Sequence, residues 1–113
     1  METLFSGLGT SSKKIQTNRQ EVEDVVRAVL KSLDFMARYP AETKAIIQKN
    51  LRGIETTAVN YIYDLVVKHA TRSGIPSRKA LENALLGSSF EGKPVNFDKL
   101  IDFSIAREAA REK

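Results

Sequence analysis

The side chains with the clearest chemical potential lie in one basic stretch of the chain. Between Asp64 and Glu82 every charged side chain is positive, and the four are Lys68, Arg72, Arg78 and Lys79. Positive side chains near the end of a helix offset its negative dipole end, and we favour this interpretation. Clustered lysines and arginines also bind phosphates, so an anion or nucleic-acid contact is the alternative. No aromatic residue lies among them, which argues against a stacking platform for single strands.

The only histidine of the chain, His69, lies in the same stretch. Any reaction that requires an imidazole base would have to use it. No serine or aspartate pattern marks a nucleophile for it to activate, and the chain has no cysteine. We therefore interpret His69 as a surface histidine. One histidine and no cysteine also exclude multi-histidine and thiolate metal sites.

A second candidate for chemistry is the carboxylate pair Asp98 and Asp102, whose spacing of four residues places both on one face of a predicted helix. Paired carboxylates act as acid and base only when their surroundings separate their pKa values. Asp98 falls at the start of that helix, where the dipole favours an acid. The sequence therefore predicts no catalytic residue, no cofactor and no metal, and we expect a protein that is not an enzyme.

The elements that carry these residues are predicted to be helices. The chain has 113 residues, of which 42% are hydrophobic and 28% are charged, and its formal net charge is +4. This composition is typical of one globular domain. We predict an all-α fold of four to five helices in irregular, orthogonal packing over residues 18–113. Residues 1–17 are rich in Gly, Ser, Thr and Lys, which predicts a flexible or extended segment.

Five helices follow from apolar spacing and from capping residues. The predicted ranges are Arg19–Arg38, Ala41–Leu51, Thr57–Thr71, a short helix from the cap Ser77 to before Gly87, and Phe97–Arg111. The stretch before Pro40 must leave the helical conformation, which separates the first two helices. No apolar run is long enough to span a bilayer, so we expect no membrane insertion.

The same spacing predicts which side of each helix is buried. The first helix carries an apolar stripe of Val22, Val25, Val26, Val29, Leu30, Leu33 and Met36. For the second helix the candidates are Ala45, Ile46, Ile47 and Leu51. Tyr61 and Tyr63 point to nearly opposite sides of the third helix, so at least one of them should lie in the core with its hydroxyl bonded at the edge.

Four segments, taken in order, resemble a known family. These are the helix Asn18–Met36, the run Pro40-Ala-Glu-Thr-Lys-Ala-Ile-Ile47, the turn and helix start Gly74-Ile-Pro-Ser-Arg-Lys-Ala-Leu81, and the stretch Val95-Asn-Phe-Asp-Lys-Leu-Ile-Asp-Phe-Ser104. They resemble the C-terminal part of periplasmic solute-binding proteins of ABC transporters, in the nitrate, sulfonate, taurine and thiamine-precursor branch. Members of that family are much longer, with two α/β lobes and a ligand cleft between them.

The resemblance implies a fragment or remnant without a complete ligand cleft, so a small-molecule ligand is not expected for this chain. No ligand residue of the family can be carried over to it. The helical surface that the missing parts would cover should then be bare, and large bare apolar patches find a partner. We predict self-association as a two-fold dimer, the commonest closed arrangement.

Without a signal peptide the chain is expected in the cytoplasm, and a fragment of a longer secreted receptor would be periplasmic.

The alternative function is a small nucleic-acid-binding regulator. It would use the basic residues Lys68 to Lys79, with a helix-turn-helix whose second helix begins at Ser77. The residues Gly74-Ile75-Pro76-Ser77 give a turn of suitable length for that motif.

Overall fold

The computed structural model describes residues 7–111, and this part of the chain is all-α and contains no strand. Its seven helices are α1 (Ser12–Thr17), α2 (Arg19–Arg38), α3 (Pro40–Asn50), α4 (Thr56–His69), α5 (Arg78–Asn83), α6 (Phe97–Leu100) and α7 (Ser104–Arg111). The predicted all-α class is confirmed. Over the described residues, no helix is both long enough and apolar enough to cross a bilayer.

The first two long helices lie where the sequence places them. α2 spans the predicted residues, and Tyr39 ends it because the residue before a proline avoids the helical conformation. Pro40 occupies the first turn of α3, where its missing N–H costs nothing. No side-chain hydrogen bond caps the start of α2, and the Asn18 side-chain amide donates to the Glu21 carboxylate at 2.7 Å.

The N-terminal segment is more ordered than predicted. Residues 7–11 have no regular structure, but residues 12–17 form α1, and the first six residues lie outside the described part. The Ser11 hydroxyl accepts a hydrogen bond from the Lys14 N–H at 3.0 Å and caps this short helix. The Lys14 ammonium then lies 2.9 Å from the Glu21 carboxylate and ties α1 to α2.

The predicted last helix, Phe97–Arg111, is wrong as one unit, because it is broken into α6 and α7. Ile101 has extended backbone and ends α6. The Asp102 carboxylate accepts hydrogen bonds from both the N–H and the hydroxyl of Ser104, which starts a new helix there. An aspartate that bonds the backbone two residues on competes with helix continuation. The shared helical face predicted for Asp98 and Asp102 is therefore absent.

The core lies where α2 meets α7, α3 and α4. Its buried residues are Leu30, Thr43, Val59, Tyr63, Ala80, Leu81, Ile105 and Ala109. The tyrosine prediction is confirmed, because Tyr63 is 7% exposed while Tyr61 is 67% exposed. The Tyr63 hydroxyl donates to the Met36 carbonyl at 2.7 Å, so burial leaves it paired.

The orientation of α3 differs from the prediction. Ile46 and Leu51 are exposed, and Thr43 is buried in their place. Thr43 satisfies its own hydroxyl by donating to the Tyr39 carbonyl at 2.7 Å, so its burial leaves no polar group unpaired. Beside it the Lys44 ammonium lies 5.0 Å from the centre of the Tyr63 ring on α4, a cation–π contact. The side of α3 that carries Thr43 and Lys44 therefore faces inward, and Lys44 contacts α4.

The whole chain has a large accessible surface for its mass. The accessible surface is 8620 Å², whereas a monomer of 12.6 kDa is expected to expose about 6,200 Å². The radius of gyration is 16.3 Å, against about 13 Å for a compact domain of this length. The chain is thus more open than a typical single domain, and its surplus surface includes large apolar side chains.

Gly74 offers a test of the packing around α2. Its φ is +75°, and a Cβ there would lie 3.1 Å from the Leu30 Cδ2 atom and 3.7 Å from the Ala106 Cβ atom. Gly53 has a similar φ of +81° with open space around it. We expect Gly74→Ala to lower the free energy of unfolding by more than Gly53→Ala, which carries only the backbone cost of about 1–2 kcal/mol. Urea denaturation measures both, and equal losses would contradict tight packing at Gly74.

Candidate functional site

An open groove lies between α5, the following loop and α6. Its volume is about 340 Å³. It is lined by Arg78, Glu82, Leu85, Leu86, Phe90, Glu91, Gly92, Lys93, Pro94, Val95 and Phe97. We name it the α5–α6 groove.

The wall from α5 is fixed by the buried residues Ala80 and Leu81, which anchor that helix to the core. The Ser77 hydroxyl accepts from the Ala80 N–H at 3.1 Å, and the predicted Ser77 cap is therefore confirmed. The sequence predicts that this helix continues to just before Gly87. In the structure it ends at Asn83 and is followed by tight turns.

The opposite wall is a loop held by its own hydrogen bonds. Gly87 and Gly92 have φ values of +78° and +73°, which a residue with a side chain rarely adopts. The Gly87 N–H donates to the Glu91 carboxylate at 2.8 Å, and the Ser88 hydroxyl donates to the Leu85 carbonyl at 2.6 Å. These bonds close the loop on itself and place the Phe90 ring on the groove wall.

The floor and the edge of the groove are apolar. Leu85, Val95 and Phe97 are half-buried and form the floor, while Leu86 and Phe90 are 53% and 56% exposed. Exposed large apolar residues that share one concavity are typical of an interaction surface rather than of a solvated loop.

The charged rim of the groove is balanced. Arg78 and Lys93 carry positive charge, and Glu82 and Glu91 carry negative charge. The Arg78 guanidinium lies 3.0 Å from the Glu82 carboxylate and 6.0 Å from the centre of the Phe97 ring. The rim therefore has no net charge, and Arg78 is already engaged with a carboxylate and an aromatic ring.

The basic residues predicted as an anion or nucleic-acid contact are spread over three elements. Lys68 lies in the last turn of α4, Arg72 in the following turn, and Arg78 and Lys79 at the start of α5. Arg72 binds the Asp34 carboxylate at 2.9 Å, and that carboxylate also binds Arg38 at 3.0 Å. Of the four, only Arg78 lines the groove. All four are exposed, with two of them paired to carboxylates.

His69 ends α4 and is exposed, as expected for a surface histidine. It lies in the last turn of the helix, where the negative end of the helix dipole favours a positive or polar side chain. Among residues 7–111 no group of three or more acidic or histidine side chains could hold a metal ion.

Asp102 and Ser104 form the most connected polar group near the C-terminus. The Ser104 hydroxyl donates to Asp102 at 2.5 Å, and Arg19 on α2 donates to the same hydroxyl at 3.4 Å. The two hydrogen bonds from Ser104 hold the pKa of the Asp102 carboxyl below its ordinary value, and the charges of Arg19 and Arg107 act in the same direction. A carboxylate with a lowered pKa is a weak base, and its evident role is to start α7.

The groove was missed at the sequence level because residues 88–96 read as a plain loop. Leu86 and Phe90 are large apolar residues within a stretch rich in glycine and serine, and that mismatch is the signal that indicates a surface with a role. Their convergence with Val95 and Phe97 depends on the fold of the loop, which local sequence did not reveal.

Comparison of the chain with protein-family models, with curated proteins and with solved structures returned no match.

The lowered pKa of Asp102 predicts a pH dependence of stability. A carboxyl whose pKa is lowered on folding contributes stability above its unfolded pKa of about 3.9 and loses it as the pH falls through the folded value. We expect wild-type protein to exceed Asp102→Asn in Tm at neutral pH, and the gap to close as the pH falls below the unfolded pKa of the carboxyl.

Thermal unfolding across pH measures this gap, with Asp98→Asn as the matched control. The Asp98 carboxylate accepts no hydrogen bond among the described residues, so its variant should follow wild type more closely. A gap for Asp102→Asn that stays constant down to the acid limit would contradict the stabilising role of its charge.

Proposed function

We propose that the chain is a non-catalytic interaction module that buries its surplus surface by self-association as a two-fold dimer. The observation that carries the proposal is the exposed area of 8620 Å², which exceeds the roughly 6,200 Å² expected for its mass. A standard interface removes about 800 Å² from each partner, so this excess is ample for one.

The apolar content of that surface supports the proposal. Within the described residues, eleven large apolar side chains are exposed: Leu8, Val25, Phe35, Tyr39, Ile46, Leu51, Tyr61, Leu65, Leu86, Phe90 and Leu100. Single exposed apolar residues are ordinary, but two of the eleven, Leu86 and Phe90, share one concavity, the α5–α6 groove. A closed two-fold dimer buries such a surface on both copies and leaves no free interface from which a filament could grow.

The relation to the C-terminal part of ABC-transporter solute-binding proteins remains part of the proposal. It rests on the order of four sequence segments. In this interpretation the chain is a helical remnant of that family that works through protein contacts rather than through a ligand cleft. A screen of thermal stability with sulfonates and small anions tests this interpretation. A bound ligand would raise Tm and would contradict the proposed absence of a ligand cleft.

The nucleic-acid alternative gains no particular support from the geometry. α5 has six residues, about 9 Å of helix, and its Arg78 is bound to Glu82 and lies over Phe97. Arg72 is bound to Asp34. Phosphate contacts would have to compete with these carboxylates, which weakens the case for a recognition helix at this position.

The proposed function predicts a mass that depends on concentration. Sedimentation velocity from about 1 to about 100 μM, a range that brackets a micromolar Kd, should show a monomer converting to a dimer. The association should persist in high salt, because apolar burial is not screened by ions. A species of monomer mass over the whole range would contradict the proposal, and salt-sensitive binding to duplex DNA would favour the alternative.

A further inference from the structure

We infer that the α5–α6 groove is the surface by which two copies of this chain meet, with Leu86 and Phe90 of each copy entering the groove of the other. This inference rests on the proposed self-association and goes beyond it by assigning the interface. It commits to a second copy as the occupant of the groove.

The first argument is the shape and chemistry of the groove. Its floor is half-buried and apolar, its volume of about 340 Å³ has room for large side chains, and Leu86 and Phe90 stand at its edge more than half exposed. Each copy thus offers both a cavity and the apolar side chains that fit one. A two-fold axis brings the same patch of both copies together, so each can fill the other.

The second argument is charge. A groove for nucleic acid or for an anionic membrane needs an excess of positive charge at its edge. The rim here has two cations, Arg78 and Lys93, and two carboxylates, Glu82 and Glu91. A balanced rim suits a copy of itself, because rotation about a two-fold axis can place cations opposite carboxylates and avoid like-charge contacts.

The other exposed apolar groups fit a second copy less well. Phe35 and Tyr39 lie near the C-terminal end of α2 with ring centres 4.9 Å apart, so each ring already covers part of the other. Tyr61 and Leu65 lie four residues apart on the outer side of a single helix, α4. Neither pair is among the residues that line a concavity into which a partner's side chain could insert.

The extent of the surface sets the expected strength of the contact. The groove and its continuation towards α6 are lined by thirteen residues. A standard interface uses about 20–30 residues on each side, so this surface is at the small end, where complexes are weak. We expect a dimer with a Kd in the micromolar range rather than an obligate one.

Serine substitutions at the edge of the groove test the assignment. Leu86→Ser and Phe90→Ser should each raise the Kd of the dimer by roughly tenfold or more. Leu8→Ser makes the same change at a residue that is 64% exposed and does not line the groove, and it should leave the Kd within about twofold. Both groove residues are exposed, so far-UV circular dichroism should match wild type, and Tm should match it at concentrations where both proteins are monomeric.

A charge-swap pair tests the two-fold geometry itself. Lys93→Glu leaves the rim with a net charge of −2, and Glu82→Lys leaves it with +2. Each variant should dimerise more weakly than wild type, because like-charged rims would face each other. An equimolar mixture of the two should recover dimer, because oppositely charged rims then meet. Lys31→Glu, at an exposed position in α2, is the matched control for charge and should have no effect.

The outcomes separate the two proposals. A wild-type chain that stays monomeric overturns the proposed function and this inference together. A wild-type dimer that is insensitive to Leu86→Ser and Phe90→Ser overturns only the interface, and so does a charge-swap mixture that shows no recovery. Weakening by both serine variants, with recovery in the mixture, supports a reciprocal contact at the groove.

Discussion

Burial of the α2 apolar stripe around Leu30 is the interaction on which the rest of the structure depends, although Val25 of that stripe is 48% exposed. α7, α3, α4 and α1 all pack against this helix. Leu30 lies at the centre of the stripe and is 2% exposed, and the turn at Gly74 passes directly beside it. The valines of α2 have only moderate helix propensity, so the helix is stable because the neighbouring helices cover it. A change that loosens this contact therefore loosens the whole domain.

The dependence on one central helix explains why so much surface remains. α2 is covered from several sides, whereas α5 and α6 are short helices with a long loop between them. Ala80 and Leu81 of α5 are buried in the core, while the exposed residues Leu86 and Phe90 that follow in the chain line the α5–α6 groove. The exposed area and the groove are thus two consequences of the same architecture, and both favour a partner surface.

Polar groups are used mainly to fix the ends of helices. Ser11, Ser77 and Asn96 cap α1, α5 and α6, while Asp102 and Ser104 start α7. The Asp34 carboxylate binds Arg72 and so ties α2 to the turn after α4. These contacts account for several of the residues that first suggest acid–base or phosphate chemistry. The feature that stands apart from helix capping is an apolar concavity with a neutral rim.

The sequence by itself determined the elements whose signals are local. The spacing of the valines and the position of Pro40 defined α2 and the start of α3. The nearly opposite directions of Tyr61 and Tyr63 on α4 predicted that at least one of them lies in the core, and that residue is Tyr63. Only the tertiary structure decided what depends on distant partners. The exposure of Ile46 and the burial of Thr43 reflect how α3 meets α4, and the break before α7 reflects a side-chain cap that competes with helix continuation. The α5–α6 groove also depends on the tertiary structure. Its walls come from α5, the following loop and α6, and no periodic pattern in the sequence predicts that these segments meet.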